Sequence, residues 1–337
     1  ELAVMRKMFH PHVIQLFETF EDCTNIFVVL ELCWGGELFD RLATEGGIPE
    51  RDAARMMGQL ASAIDYIHSE QICHRDVQPD NFLLKDNRPL SQATLKLIDF
   101  SHAKEFGVGL EMITKICTLH YVAPEILTRK MVPYTEKVDV WSLGVVFFVM
   151  LSGAPPFGTS TNLDTLKRIK KGDYAFEPPK VWDNVSTEGK QIISKMLVTN
   201  AETRMSAREV VSHEWFCHEH QARQSKFHTQ LMSSDQLHNL RTFHARSKLE
   251  SVKQNLLLQT LPESSFEEIS AIFEHHADHD SGKGALPISE VRDQCRVHKN
   301  LKAHLEIIMR IVLTVGGGTG KVSLNKFLEA SRKRRSA

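Results

Sequence analysis

The chain has 337 residues, enough for about two domains at the usual ~150 residues each. With 41 lysines and arginines against 42 aspartates and glutamates, it has no whole-chain field of the kind that draws proteins to nucleic acid or anionic lipid. Its cysteines, Cys23, Cys33, Cys73, Cys117, Cys217 and Cys295, are scattered without a C-x-x-C pair, which points to a reducing, cytoplasmic setting rather than a disulfide framework.

The chain opens at Glu1 inside an amphipathic helical pattern, with neither a methionine nor a signal peptide, so a segment upstream is expected. His10-Pro11-His12-Val13-Ile14 follows. Ile26 to Leu32 is an apolar, strand-like run that ends in Glu31-Leu32-Cys33, ahead of a turn at Gly35-Gly36-Glu37-Leu38. Five further segments come in order: His74-Arg75-Asp76-Val77-Gln78-Pro79-Asp80-Asn81, Asp99-Phe100-Ser101, Ala123-Pro124-Glu125, Asp139-Val140-Trp141-Ser142-Leu143-Gly144 and Glu202-Thr203-Arg204-Met205-Ser206-Ala207. The longest apolar run, Val140 to Leu151, falls short of the ~20 residues a membrane span needs and reads as a buried helix. Most of the Gly and Pro turn signals lie before residue 216, so residues 1–216 are expected to form one compact domain. A polar stretch then leads to leucines spaced by threes and fours. Leu237, Leu240, Leu249, Val252 and Leu256 interleave with Arg241, Arg246, Lys248 and Lys253, the pattern of a basic amphipathic helix within 217–262. Residues 263–337 carry two helix-loop-helix patterns, centred on Asp278 to Glu290 and Val315 to Lys326.

This ordered set of segments resembles the motifs of calcium-dependent protein kinases of the plant and alveolate type, whose catalytic domain is like that of calmodulin-dependent kinases. The resemblance implies an α+β protein-kinase fold with a mostly helical large lobe and an incomplete small one. A junction or autoinhibitory helix and an all-α EF-hand-like pair follow. It implies a serine/threonine kinase that uses ATP and Mg²⁺. Asp76 would take up the substrate hydroxyl proton, beside Arg75, Gln78 and Thr118, and Asn81 and Asp99 would hold the metal. Leu30 as gatekeeper, the backbone of Glu31 and Cys33, and Leu83 would meet the nucleotide. Glu37 would lie near the ribose, and Glu1 falls on the helix glutamate that pairs with a small-lobe lysine. The residue chemistry agrees, because phosphoryl transfer asks mainly for positioning and charge neutralisation, and Asn81 and Asp99 are the oxygen ligands that Mg²⁺ prefers. Glu37 and Asp80 would favour protein substrates with an upstream basic residue. Arg75 would receive a phosphate placed on Thr114. Neither nucleic acid nor a membrane span is expected.

Blander readings stay open beside these. Asp76 alone could be a turn residue, Glu37 a solvated helix start, and the basic helix could merely pack on the large lobe. The Gly-rich loop and the small-lobe lysine find no match in the chain. Gln78 stands where the family places a lysine that touches the γ-phosphate, and Ser101 replaces a glycine whose turn is freest at positive φ. A weakened kinase and a catalytically inactive scaffold are therefore the two rival readings. In the first loop Asp278, Asp280 and Glu290 offer carboxylates, but the loop is one residue too long and Gly284 falls one place late. The second loop offers Val315, Gly317, Thr319 and Lys326 at ligand positions, where nothing can hold calcium. Calcium is expected to bind weakly, at one site at most, and the loop pair to cradle the basic helix. The final Arg332-Lys333-Arg334-Arg335 could serve nuclear import or lipid contact, and reads rather as cations at a helix C-terminus.

Overall fold

The computed structural model describes residues 1–23, 25–107, 112, 118–128, 133–183, 185–216, 232–259, 263–276, 285–302, 308 and 321–323. The chain divides into two compact units, Glu1–His244 and Ala245–Ala337.

In the first unit α1 (Leu2–Met5) leads to an antiparallel pair, β1 (Leu16–Glu21) and β2 (Ile26–Leu30). All five β2 side chains are exposed. The chain then turns into α2 (Leu38–Glu45), which stops at Gly46 in the left-handed conformation, φ 90°. After α3 (Glu50–Ser69) come short strands, β3 (Ile72–Cys73), β4 (Phe82–Leu84), β5 (Leu95–Leu97) and β6 (Lys104–Glu105), paired as β3 with β6 and β4 with β5. These small ladders frame the segment 74–81 between them.

The centre of the unit is α4 (Lys137–Ser152), the segment expected to be a buried helix. Its sequence is apolar on every side, so no face can be left to water. Every residue except Lys137 and Ser142 is buried. Helices α3 and α7 (Thr187–Met196) pack on it, Phe148 meets Trp182 of α6 (Pro179–Trp182) with ring centroids 4.6 Å apart, and α8 (Ala207–Val211), opened by a capping box of Ser206 and Glu209, packs on α3; α5 (Asn162–Lys171) precedes α6 in the chain. Helix α4 ends at Gly153, φ 80°, where an added Cβ would lie 2.2 Å from the Gln236 carbonyl oxygen.

Gln236 belongs to α9 (Ser234–Gln259), the basic helix read from the sequence. Its first part packs within the first unit, so that unit runs past residue 216. Gln236, Leu240 and His244, spaced by four, are its buried stripe. Gln236 Nε2 donates to the Leu151 carbonyl at 2.7 Å, and Arg241 Nε to that of Ala43 at 2.7 Å. Leu249, read from the leucine spacing as part of the apolar face, is 65% exposed. The buried stripe uses polar side chains that reach partners on the lobe, which leucine periodicity cannot reveal.

The second unit contains α10 (Glu263–His276), α11 (Ile288–Val297) and α12 (Lys299–Lys302), with a ladder of β7 (Ala285–Pro287) on β8 (Lys321–Ser323). The ladder departs from the expectation of a wholly helical module, because two loop segments that face each other can pair their backbone groups. Ile269, Phe273, Leu286, Val291, Cys295 and Leu301 are buried there. Burial, then the nearby Glu268 carboxylate, push the Cys295 thiol up to about 11. Among the described residues no helix is long and apolar enough to cross a membrane.

Candidate active site

The segment 74–81 is held from beneath by Asp139 at the start of α4. The buried Asp139 carboxylate accepts from the His74 amide at 2.7 Å, the Arg75 amide at 2.8 Å and His68 Nε2 at 2.9 Å. These bonds support Arg75 in the left-handed region, φ 68°, a conformation that costs a non-glycine residue about 1 kcal/mol or more. His74 is itself fully buried, bonded through Nε2 to the Ile98 carbonyl at 3.1 Å and set edge-on to Phe100. Two stretches distant in sequence are thereby locked into one frame.

Desolvation alone would raise the Asp139 pKa. The His68 hydrogen bond and charge, with the His74 charge and amide, outweigh it and hold the carboxyl below its ordinary value. A folded pKa below the unfolded one means the stabilisation is present above the ordinary aspartate value of ~3.9 and is lost as pH falls through that value towards the folded pKa. Melting temperatures followed by circular dichroism from pH 6 downwards should therefore drop less steeply in Asp139→Asn than in the parent. Parallel acid limbs would remove Asp139 as a source of acid lability.

Above this frame sits Asp76, half-buried. Its Oδ2 accepts from Gln78 Nε2 at 2.9 Å and Asn81 Nδ2 at 3.2 Å, and its Oδ1 from the Thr118 hydroxyl at 3.1 Å. Asn81 Nδ2 also donates to the Asp76 carbonyl at 2.8 Å. With its amide nitrogen so engaged, Asn81 keeps its side-chain oxygen for another partner. Asp76, Gln78, Asn81 and Thr118, all singled out from the sequence, are thus brought into one cluster. Arg75 turns aside from it: Nε donates to the His102 carbonyl at 2.6 Å and Nη1 approaches the Tyr134 hydroxyl at 3.4 Å. Thr114, its expected phosphate partner, lies outside the described residues.

Asp99 has φ 60°, and its Oδ1 accepts from the Ser101 amide at 3.1 Å. The positive φ falls on Asp99; Ser101, where the missing glycine drew attention, is not left-handed, so its side chain is accommodated without backbone strain. Glu1 is near: burial, then the Asp99 carboxylate, raise its pKa.

The proposed nucleotide-facing residues form a second group. Glu31 donates its amide to the Gln15 carbonyl at 2.8 Å, so of its backbone groups the carbonyl is the one left for a ligand. Its carboxylate takes Lys96 at 2.6 Å and Lys85 at 3.1 Å. Burial opposes ionisation there, and these two ammonium groups more than offset it, leaving the Glu31 pKa lowered. Burial, then Glu31, raise the Cys33 thiol. Leu30 is 41% exposed, while Leu83 on β4 is half-buried and bridges to Glu37 through the backbone. Glu37 is the N-cap residue of α2, so the helix-start reading holds in position. It also shares a cluster with Asp40 and His244.

Glu125 and Arg204 form an ion pair. Nη1 reaches Oε1 at 2.7 Å and Nη2 reaches Oε2 at 2.9 Å. Asp278 and Asp280 lie outside the described residues, and Glu290 Oε1 accepts from Gln294 Nε2 at 3.0 Å. Sequence reading missed His68, Lys96 and His244. Lys96 stands between Leu95 and Leu97 on β5 and is buried, and its partner Glu31 is far away in the chain.

Residues 1–216 match the family model described as protein kinase domain. The chain is 33% identical over 337 residues to Calcium-dependent protein kinase 3 of Plasmodium yoelii yoelii, covering 99% of this chain and 60% of that protein. It is 32% identical over 331 residues to Calcium-dependent protein kinase 5 of Plasmodium berghei (strain Anka), covering 98% of this chain and 57% of that protein. Calcium/calmodulin-dependent protein kinase type 1 of Macrobrachium nipponense is 36% identical over 215 residues, 64% of this chain and 61% of the relative. The chain thus spans about three-fifths of the length of the curated relatives it matches.

Proposed function

Because the chain belongs to the protein kinase domain family, we propose that it acts as a serine/threonine kinase of the calcium-dependent type, transferring the γ-phosphate of ATP to protein hydroxyls. The observation that carries this reading is the Asp76 carboxylate, fixed by Gln78, Asn81 and Thr118. Three donors hold the carboxylate at a set angle, where it can accept a hydroxyl proton. Asn81, through its free oxygen, and Asp99 fit Mg²⁺, a hard cation that takes oxygen ligands. When bound, the metal supplies neutralisation of the triphosphate charge. Leu30, the Glu31 carbonyl, Cys33 and Leu83 would meet the nucleotide, and Lys96 fixes Glu31 from behind. Gln78 brings an amide where a cation would aid transfer, which favours the inactive scaffold as second reading. Phosphorylation of a basic peptide by a protein carrying the complete small lobe, compared with Asp76→Asn, separates the two.

Glu37 and Asp80 are proposed to read a basic residue upstream of the target. Helix α9 places Arg241 on the Ala43 carbonyl and His244 on Asp40, beside Glu37, so this acidic edge suits a basic segment. The second unit is proposed to be an EF-hand pair. Leu286 precedes Glu290 by four residues and Val322 precedes Lys326 by four, so the paired strands take the same place in both loops. With one defective loop and one lacking carboxylates, calcium binds at one weak site, well short of the roughly micromolar affinity of a sensor hand. Calorimetric titration of calcium into the chain should show that single weak site, abolished by Glu290→Gln. Two tight sites would reverse the assignment.

A further inference from the structure

We propose that Glu37, Asp40 and His244 form a site for a divalent transition metal of the Zn²⁺ class, which staples helix α9 to helix α2. One ligand atom from each of the three residues lies within 4.8 Å of the other two, and His244 Nε2 is 2.7 Å from Asp40 Oδ1. Ligands about 2.0–2.1 Å from a tetrahedral zinc stand roughly 3.4 Å apart. The histidine–aspartate contact must therefore open slightly and the wider separations close, both within reach of side-chain rotation.

Two carboxylates at the start of α2 would alone be an ordinary acidic edge. The imidazole changes the chemistry. His244 is 6% exposed and sits edge-on to Phe39, ring centroids 6.2 Å apart, so packing holds its Nε2 towards the carboxylates. Hard cations such as Ca²⁺ and Mg²⁺ favour all-oxygen shells, whereas one imidazole with two carboxylates is the mixed set that suits zinc, and the two anionic ligands offset the charge of the dication. Three protein ligands leave a fourth position to water.

The ligands also come pre-positioned. Glu37 and Asp40 are fixed by the first turn of α2, while α9 is held there without metal by Gln236 on the Leu151 carbonyl and Arg241 on that of Ala43. Binding therefore orders little that is not already ordered. With the ion in place, lifting α9 from α2 means breaking a chelate. If the acidic edge reads substrate, a consequence that rests on the kinase reading, the ion would keep that edge covered.

The test uses the whole chain stripped with EDTA. Zn²⁺ added in a calorimeter should bind one to one and raise the melting temperature, and Co²⁺ should give a visible d–d absorption. His244→Ala and Asp40→Asn should each weaken Zn²⁺ binding about tenfold or more, while His238→Ala on the same helix leaves it unchanged. Asp40→Asn carries the test alone if His244→Ala fails to fold. Binding that survives both variants, no binding at all, or equal binding of Ca²⁺ and Mg²⁺ would overturn the site. Absence of phosphate transfer would count against the kinase and leave these readouts untouched.

Discussion

Asp76→Asn is expected to lower phosphate transfer to a basic peptide about 10²–10⁴-fold, the usual contribution of a positioned general base. The substitution keeps the shape of the side chain and removes its ability to take a proton. Its structural cost is small: with the amide oxygen kept at the Oδ2 place for Gln78 and Asn81, the new amide nitrogen meets only the Thr118 hydroxyl, which can turn to accept, a loss of about 1 kcal/mol. A large rate effect at nearly unchanged melting temperature is thus the signature of a proton acceptor rather than a turn residue. The same assay on Gln78→Lys should show faster transfer, since a cation would then stand beside the transferring group. Asp76→Asn within twofold of its parent, both with Gln78 in place and in combination with Gln78→Lys, would replace the enzyme with the scaffold.

Removing the guanidinium of Arg204 should be the most destabilising single change in the first unit, at about 3–5 kcal/mol, as for other broken buried pairs. The side chain is wholly buried. It makes two parallel bonds to Glu125, donates to the carbonyls of Val198 at 2.9 Å and Lys137 at 2.8 Å, and lies 5.1 Å from the centre of the Trp141 ring. In Arg204→Ala the Glu125 carboxylate and both carbonyls lose their donor together, and a cavity opens against Trp141. At about 2–4 °C per kcal/mol for a unit of this size, the melting temperature should fall by roughly 6–20 °C. Arg204→Lys should recover little, since an ammonium cannot form the two-pronged pair. A loss below about 1 kcal/mol for Arg204→Ala would mean that water replaces the guanidinium at Glu125 and both carbonyls, and would overturn the buried-pair account.

The residues of the candidate site were legible because the chemistry proposed for them restricts each to one or two types at fixed spacing. Asp76, Asn81, Asp99, Glu125 and Arg204 could be picked out in order, and the first two meet in the structure, as do the last two. The central helix was legible from its uninterrupted apolar run. What stayed hidden are the pairings between distant segments. Nothing local marks Asp139 as the acceptor of two backbone amides and a histidine, or Lys96 as the buried partner of Glu31. The docked face of α9 was hidden for a different reason: its stripe of Gln236, Leu240 and His244 is two-thirds polar, so a rule that looks for leucines selects the exposed Leu249 instead.

The close approach of Gly153 to Gln236 bears on where this kinase domain ends as a physical object. The family model stops at residue 216, yet the Leu151 carbonyl at the end of α4 finds its donor on α9, and Leu240 is fully buried in the same core. Cutting the chain at 216 would bare a carbonyl, a glycine surface shaped for a neighbour and the apolar seat of Leu240, worth about 1.5–3 kcal/mol for the leucine alone. The recognisable motifs and the cooperative folding unit therefore have different borders, and residues beyond the matched domain serve as structural ballast for it.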